Sequence, residues 1–489
     1  MLRSQHRWLL LAVWCGAAFR FHGLFANTFH ADEALFAGWA RLIAAWRDPL
    51  LITQEVDKPP LLFYLQALSY PIAGPVEWAA RVPSFIASLL LIPLTAKAAG
   101  LTCDRLAGVA AAFIVALAPL AIQFSGSAFS DPLLTLWLTA ALIIVLRPPW
   151  TIAEQAAHPH RPLWFGVFLG LALLSKYQAV LFLPLYVGLA TLSGWRRAEW
   201  FKALAGLAAI LVILLAWVGA RPEARGLVDL QWANIGGIRF SRSWEMWPRL
   251  RSTFGLWQLA LGWPLLIGFV FIGLGLVSIR RRHAATNPAE ALIAVFVLAY
   301  ILLHWLWAVP VWDRYLVPIL PLVAILVGGG FSRVWRASRA RPPERVALGA
   351  LVIGIIGLQM TVARAARIGV FPIGSQPTAD GGAGAAAQSL LESPYGTVLY
   401  DHWYSWHWRY QLFDSRVYIS WFPNADALIA DLEVFARSGS ERYIALPTSD
   451  ASRPIYRRLS ESGYELQPAA GQRESTDMVI YRIFVEAAE

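Results

Sequence analysis

Two carboxylates, Asp32 and Glu33, stand side by side just after an apolar run from Trp8 to Phe25. A carboxylate at a water–lipid boundary can take a proton from a substrate hydroxyl resting there. Asp is also a good helix N-cap, so this position alone leaves two readings open. Further on, "EVDKPPLLFYLQAL" places Lys58 ahead of two prolines and a short predicted helix. An ammonium and the free N–H groups of a helix start both attract an anion, although an interfacial lysine also snorkels to lipid headgroups. Asp131 precedes Pro132 at the head of another apolar run. Lys176 falls in "LLSKYQ", and Asp313, Arg314 and Tyr315 fall in "VPVWDRYLVPILP". Arg239 and Arg242 lie in a second polar stretch. Several carboxylates and cations are thus expected to converge on one face of the membrane, with few ionisable residues mid-span.

The elements that must position these residues are membrane helices. Of the 489 residues, 57% are hydrophobic and 15% charged, against about 25% charged in a soluble domain. Many of the 24 tryptophans sit at the ends of apolar runs, where interfaces favour them. Apolar segments near 8–26, 79–99, 106–124, 132–147, 163–175, 178–194, 203–220, 256–279, 289–308, 315–332 and 346–366 predict about eleven transmembrane helices. The first is read as a span rather than a cleaved leader, because it lacks a convincing A-x-A site. With the N-terminus inside, every inner segment is basic: Arg3, Arg7, Lys97, Arg105, Arg147, Arg161, Arg196, Arg197, Lys202, Arg280, Arg281, Arg282, Arg333, Arg336, Arg339, Arg341 and Arg345. An odd number of spans then puts the C-terminal segment outside, together with long outer loops at 27–78 and 221–255. After Asp32, apolar residues at Leu35, Trp39, Leu42 and Trp46 predict an amphipathic helix on the outer membrane surface.

The expected organisation is a transmembrane domain over 1–366 and a small extracytoplasmic α/β domain over 367–489. "FPIGSQPTADGGAGAAA" reads as the linker, and "GTVLYDHWYSW", "RYIALP" and "DMVIYRIFV" read as β-rich runs. From residue 371 onward there are 15 acidic and 9 basic side chains. The chain's net charge of +10 therefore resides in the inner loops and describes no nucleic-acid surface. No phosphate-binding glycine loop, no D-x-D pair and no zinc spacing of Cys and His occurs. The two cysteines, Cys15 and Cys103, give no disulfide framework. An enzyme of this composition must meet an already activated substrate outside.

"HADEALFAGWA", "DKPPLLFYLQAL", "FSDPLLTLWL", "LALLSKYQAVLFLPL" and "DRYLVPILPL" follow one another over roughly residues 8–335. In this order they resemble the GT-C superfamily of glycosyltransferases, in the branch of protein mannosyltransferases and lipid A aminoarabinose transferases. The resemblance implies transfer of a sugar from a polyprenyl-phosphate carrier to an acceptor hydroxyl on the outer face, with inversion. It implies that Asp32, with Glu33 beside it, supplies the catalytic carboxylate. Lys58, Arg314, Tyr315, Arg239 and Arg242 become candidates for the carrier phosphate. Asp131, Lys176 and Tyr64 become candidate substrate-binding residues, and Asp57 a candidate ligand of a divalent cation. The implied partners are a polyprenyl-phosphate sugar donor, membrane lipids, and an acceptor that is a glycolipid, a polysaccharide or a protein. Abundant Ala, Arg and Trp suggest a GC-rich bacterial genome and hence a bacterial inner membrane. A transporter or lipid-linked sugar flippase is the competing expectation. Such proteins usually place ionisable groups mid-membrane on broken, repeated halves, and a scaffold would need no clustered outer charges.

Overall fold

A computed structural model describes residues 2–146, 159–221, 239–280, 287–310, 312–338, 342–435, 439–469 and 477–485. The chain divides into two compact units. One holds Met1–Ala26 with Leu42–Gln376, the other Asn27–Arg41 with Pro377–Glu489.

The first unit is helical. Its helices are α1 (Leu2–Ala26), then α3 (Leu61–Ala73), α4 (Glu77–Thr102), α5 (Arg105–Leu117), α6 (Pro119–Ser125), α7 (Asp131–Val145), α8 (Arg161–Ser175), α9 (Leu183–Leu192), α10 (Arg197–Gly219), α11 (Ser243–Leu261), α12 (Trp263–Arg280), α13 (Pro288–Leu306), α14 (Leu320–Ala337) and α15 (Pro342–Arg367). The helix between the first two, α2 (Ala31–Ala44), crosses the boundary of the units. Every apolar segment read as a span is mainly helical over its described residues, with breaks inside two of them at Ala118 and Gly262. Among the described residues, six helices are long and apolar enough to cross a membrane, or eight spans if each of two bent pairs counts as one. The chain is thus a multi-pass membrane protein. The other three of the eleven expected segments form the shorter apolar helices Asp131–Val145, Arg161–Ser175 and Tyr177–Leu192. Helices α7 and α8 have 15 residues each, about 22 Å of rise, which is short of a hydrocarbon core of about 30 Å. Lys176, in extended conformation, breaks the run between α8 and a 3₁₀ turn over Tyr177–Phe182. Of the basic inner-loop residues, Arg147, Arg281, Arg282, Arg339 and Arg341 lie outside the described residues.

The two bends have identifiable causes. Helices α5 and α6 meet at 58° where Pro119 lacks the N–H that would continue the ladder. The carbonyls freed there go to Arg20, which is fully buried. Its guanidinium donates to Val115 O and Ala116 O at 2.8 Å each, and to Gly16 O at 3.0 Å, while Nε reaches Ser88 Oγ at 2.9 Å. Helices α11 and α12 meet at 103°, at Gly262 with φ +83°. Gln359 of α15 donates to Leu117 O and to Leu261 O, 2.9 Å each, so one side chain closes both breaks. Small residues bring other helices close. A Cβ on Gly166 of α8 would stand 1.8 Å from Ala203 O, and one on Gly206 of α10 would stand 2.1 Å from Leu163 O.

At one end of these helices, charges pair across neighbours. Arg333 grips Glu290 with two bonds of 2.6 and 2.7 Å. Asp104 caps α5 through Leu106 N and Ala107 N, and takes Ser332 Oγ at 2.6 Å and Arg336 at 2.7 Å.

The second unit is an α/β domain. Its strands are β1 (Val398–Asp401), β2 (Tyr418–Trp421), β3 (Arg442–Pro447), β4 (Tyr464–Pro468) and β5 (Met478–Val485), in the order β2-β1-β3-β5-β4. β1 runs parallel to β2 and β3, and β5 antiparallel to β3 and β4. Alternate strand residues supply two cores. Leu399, Ala445 and Ile480 pack with α16 (Ala383–Ala387) and α17 (Ser405–Gln411). Tyr400, Ile444 and Leu446 pack with α18 (Ala425–Phe435) and α19 (Arg453–Glu461). The expected linker is not a free tether. Gln123 donates to Phe371 O and Ile373 O at 3.0 and 2.7 Å within the first unit, while Ala383, Ala386 and Ala387 are core residues of the second.

Candidate active site

The charged residues at the other end of the helical unit are drawn together. Pro60 starts α3, and the Lys58 ammonium just before it is hydrogen-bonded to the Asp57 carboxylate. Asp131 stands in the first turn of α7, 1% exposed. Its carboxylate accepts from Lys176 Nζ at 2.6 Å. The ammonium of Lys176 also lies 5.3 Å from the Tyr315 ring centre. The 3₁₀ turn Asp313–Ile319 presents Arg314, whose guanidinium lies over Phe129 and Trp312 at 5.6 and 5.3 Å. Asp313 accepts from Gly374 N at 2.8 Å and from Arg314 N at 2.7 Å, which ties this turn to the 371–376 segment.

Burial holds the Lys176 ammonium below its ordinary value; Asp131 opposes this, and the fields of Arg314 and Lys58 add to it. Lys58 and Arg314 thus act on the Lys176 ammonium although Asp57 and Asp131 already pair with Lys58 and Lys176. An anion joining them would be held by the remaining positive field.

The surrounding side chains hold this arrangement. Tyr300 OH donates to Tyr315 O at 2.8 Å and takes a bond from Gln178, and the His304 ring lies 4.2 Å from Tyr300 and 5.5 Å from Tyr315. Tyr64 OH donates to Pro49 O at 2.8 Å and accepts from Trp217 Nε1 at 3.0 Å. Arg221, not singled out in the sequence, donates to Leu51 O and Gln54 O at 3.0 and 2.8 Å. Tyr64 and Arg221 thus shape the 48–56 loop.

Arg239 and Arg242 have other neighbours. Arg239 forms a two-bond pair with Glu245 at 2.6 and 2.7 Å, and the Arg242 guanidinium lies 5.2 Å from the Trp244 ring. Their segment pairs with 306–308 through Ser241 N to Leu306 O and Ala308 N to Arg239 O. Arg249, also missed in the sequence, gathers the carbonyls of His304, Trp305, Trp307 and Val309. Of the 221–255 loop, residues 222–238 lie outside the described residues.

The acidic motif belongs to the other unit. Glu33 is fully buried and its Oε2 accepts from His30 N at 2.9 Å, the reciprocal half of a helix-capping pattern. Asp32 is partly exposed in the first turn of α2, and its N–H donates to His30 Nδ1 at 3.2 Å. The amphipathic helix expected on the lipid surface is formed, but Phe36, Ala37, Trp39 and Ala40 are buried in protein. Arg41 donates to Tyr410 O at 2.5 Å and pairs with Asp414 at 2.6 Å.

Asp57 already holds the Lys58 ammonium, and among the described residues no three His, Cys, Asp or Glu side chains are grouped to hold a metal.

Known proteins give this geometry a context. Residues 57–218 match the family described as dolichyl-phosphate-mannose-protein mannosyltransferase. No curated protein sequence matches the chain. The crystal structure of ArnT from Cupriavidus metallidurans bound to undecaprenyl phosphate is similar with a TM-score of 0.69 at 17% identity, covering 97% of this chain and 98% of that one. An oligosaccharyltransferase from Archaeoglobus fulgidus tethered to an acceptor peptide gives 0.60 at 13%, covering 97% and 74%. The archaeal oligosaccharyltransferase AglB of the same organism, in complex with an inhibitory peptide and a dolichol-phosphate, gives 0.58 at 13%, covering 94% and 72%. The protein has the fold of the GT-C glycosyltransferases.

Proposed function

We propose that the protein moves a hexosyl or pentosyl group from a polyprenyl-phosphate carrier to an acceptor hydroxyl on the outer face of a bacterial inner membrane. The N-terminus is cytoplasmic and the α/β domain periplasmic. The observation that carries this reading is the Lys176 ammonium, held by Asp131 at 2.6 Å and 5.3 Å from the Tyr315 ring centre, in the fields of Lys58 and Arg314. A phosphate that gains charge as its sugar departs is the anion such a group suits. The ArnT likeness, with undecaprenyl phosphate bound in that protein, supports the same choice.

The reaction is a single displacement. The acceptor oxygen attacks the anomeric carbon, the carbon–oxygen bond to phosphate breaks, and its electron pair stays on the phosphate oxygen. Attack from the face opposite the leaving group inverts the centre. Asp32 takes the hydroxyl proton, a contribution of about 10²–10⁴-fold. Lys58, Lys176 and Arg314 stabilise the leaving phosphate, each fixed donor being worth roughly 3–4 kcal/mol. Asp131 keeps the Lys176 ammonium in place.

The test uses the full chain in nanodiscs with labelled undecaprenyl-phosphate pentoses and hexoses and a membrane extract as acceptor. Transfer that disappears on Lys58→Ala supports the reading. Transfer from no donor, combined with movement of the lipid-linked sugar between leaflets, would replace it with a flippase.

A further inference from the structure

The α/β unit contains a buried titratable side chain that this chemistry does not use. His407 of α17 is 5% exposed. Its Nε2 lies 2.9 Å from Phe29 O. A carbonyl cannot donate, so Nε2 carries the hydrogen and Nδ1 the lone pair. That Nδ1 is buried with no hydrogen-bond partner among the described residues. Burial holds the imidazole below its ordinary value; the Phe29 carbonyl, Asp380 and Asp401 oppose this, and His30 adds to it. The ring is neutral at neutral pH and makes one directed bond, to the Phe29 carbonyl.

That bond controls the start of α2. Thr28 Oγ1 donates to Pro377 O at 3.2 Å and accepts from Asp380 N at 3.1 Å. The Phe29 ring is 1% exposed and meets Tyr410 edge-on at 5.0 Å. His30 N–H is taken by Glu33, and Ala34 N donates to His30 O at 2.9 Å. Residues 28, 29 and 30 are thus pinned in succession, and Asp32 follows two positions later. Glu33 is occupied in building the turn, which leaves Asp32 as the more exposed carboxylate of the pair.

We infer that His407 is a positioning residue for Asp32: through the Phe29 carbonyl it fixes the turn from which the Asp32 helix starts, and so sets where that carboxylate stands. The α/β unit then supplies the frame of the acidic motif. This rests on the reading of Asp32 as proton acceptor. Held geometry matters at this scale, since a displacement of about 1 Å costs on the order of 10²-fold in rate.

The experiment compares wild type, His407→Met, His407→Gln and Asp32→Asn as full chains in nanodiscs, with the same undecaprenyl-phosphate sugar panel. Met fills the space without a donor, whereas the Gln amide can still donate to Phe29 O. His407→Met should lose about 100-fold in kcat, with donor KM within about twofold of wild type. His407→Gln should recover most of that loss. Hydrogen exchange should quicken at the amides of 30–34 in His407→Met and stay unchanged in α18 and α19. Gln as impaired as Met, or Met with wild-type kcat while Asp32→Asn is inactive, overturns the inference and leaves the role of Asp32 standing. Wild-type turnover by Asp32→Asn overturns that role itself, and the inference with it.

Discussion

The two ends of the helical unit use charge differently. At one end, Glu290 and Arg333, and Asp104 with Arg336 and Ser332, meet in matched pairs between neighbouring helices. At the other, Asp57 holds Lys58 and Asp131 holds Lys176, and the fields of Lys58 and Arg314 both reach the Lys176 ammonium. Matched pairs fasten helices. Crowded cations cost stability, and such cost is usually retained where a ligand repays it. We read the first end as a fastening and propose the second as the site.

Substitutions can break or sharpen this contrast. The largest effect is expected from Lys58→Ala or Arg314→Ala, each losing about 10²–10³-fold in kcat if it removes a donor to the leaving phosphate. Steady-state kinetics in nanodiscs check this, and a change confined to less than tenfold would make these cations lipid anchors. Next is Asp131→Asn, which leaves the Lys176 ammonium in a mostly buried place without its carboxylate. A loss of about 3–5 kcal/mol follows from breaking such a pair, read as a lower midpoint in thermal unfolding. The double variant Asp131→Asn, Lys176→Met should regain part of that stability and none of the turnover. At the fastening end, Glu290→Gln removes the carboxylate facing Arg333 and should cost about 1–3 kcal/mol with kcat unchanged in the folded fraction. A fall in kcat there would erase the distinction between the ends. The smallest effect belongs to Tyr64→Phe, which removes the bond to Pro49 O. About 1 kcal/mol of stability and a modest rise in donor KM are expected from a loosened 48–56 loop.

Much of the fold was legible because lipid leaves few choices: every long apolar run became a helix. What composition could not give was where a run stops being a full span. Pro119 and Gly262 were the visible marks of the bends, but their partners, Arg20 and Gln359, come from distant helices. The β-rich runs became β1, β3 and β5, while β2 and β4 are short and lie at the sheet edges, with little apolar alternation to reveal them. Of the site, the charged residue types and their order were readable. The salt bridge between Lys176 and Asp131, the grip of Arg221 on the 48–56 loop and the bond from His407 to Phe29 were not, because each joins positions far apart in sequence. The helix after Asp32 was legible by its period, but burial against protein and burial against lipid leave the same apolar stripe.

The central claim is that this chain transfers a sugar with Asp32 as proton acceptor, and the most direct measurement is turnover by Asp32→Asn. Folded wild type in nanodiscs should transfer label from at least one undecaprenyl-phosphate sugar. Asp32→Asn should keep the fold and the donor affinity yet lose about 10²–10⁴-fold in kcat. Turnover equal to wild type in that variant would contradict the account and leave Asp32 as the first polar residue of a helix.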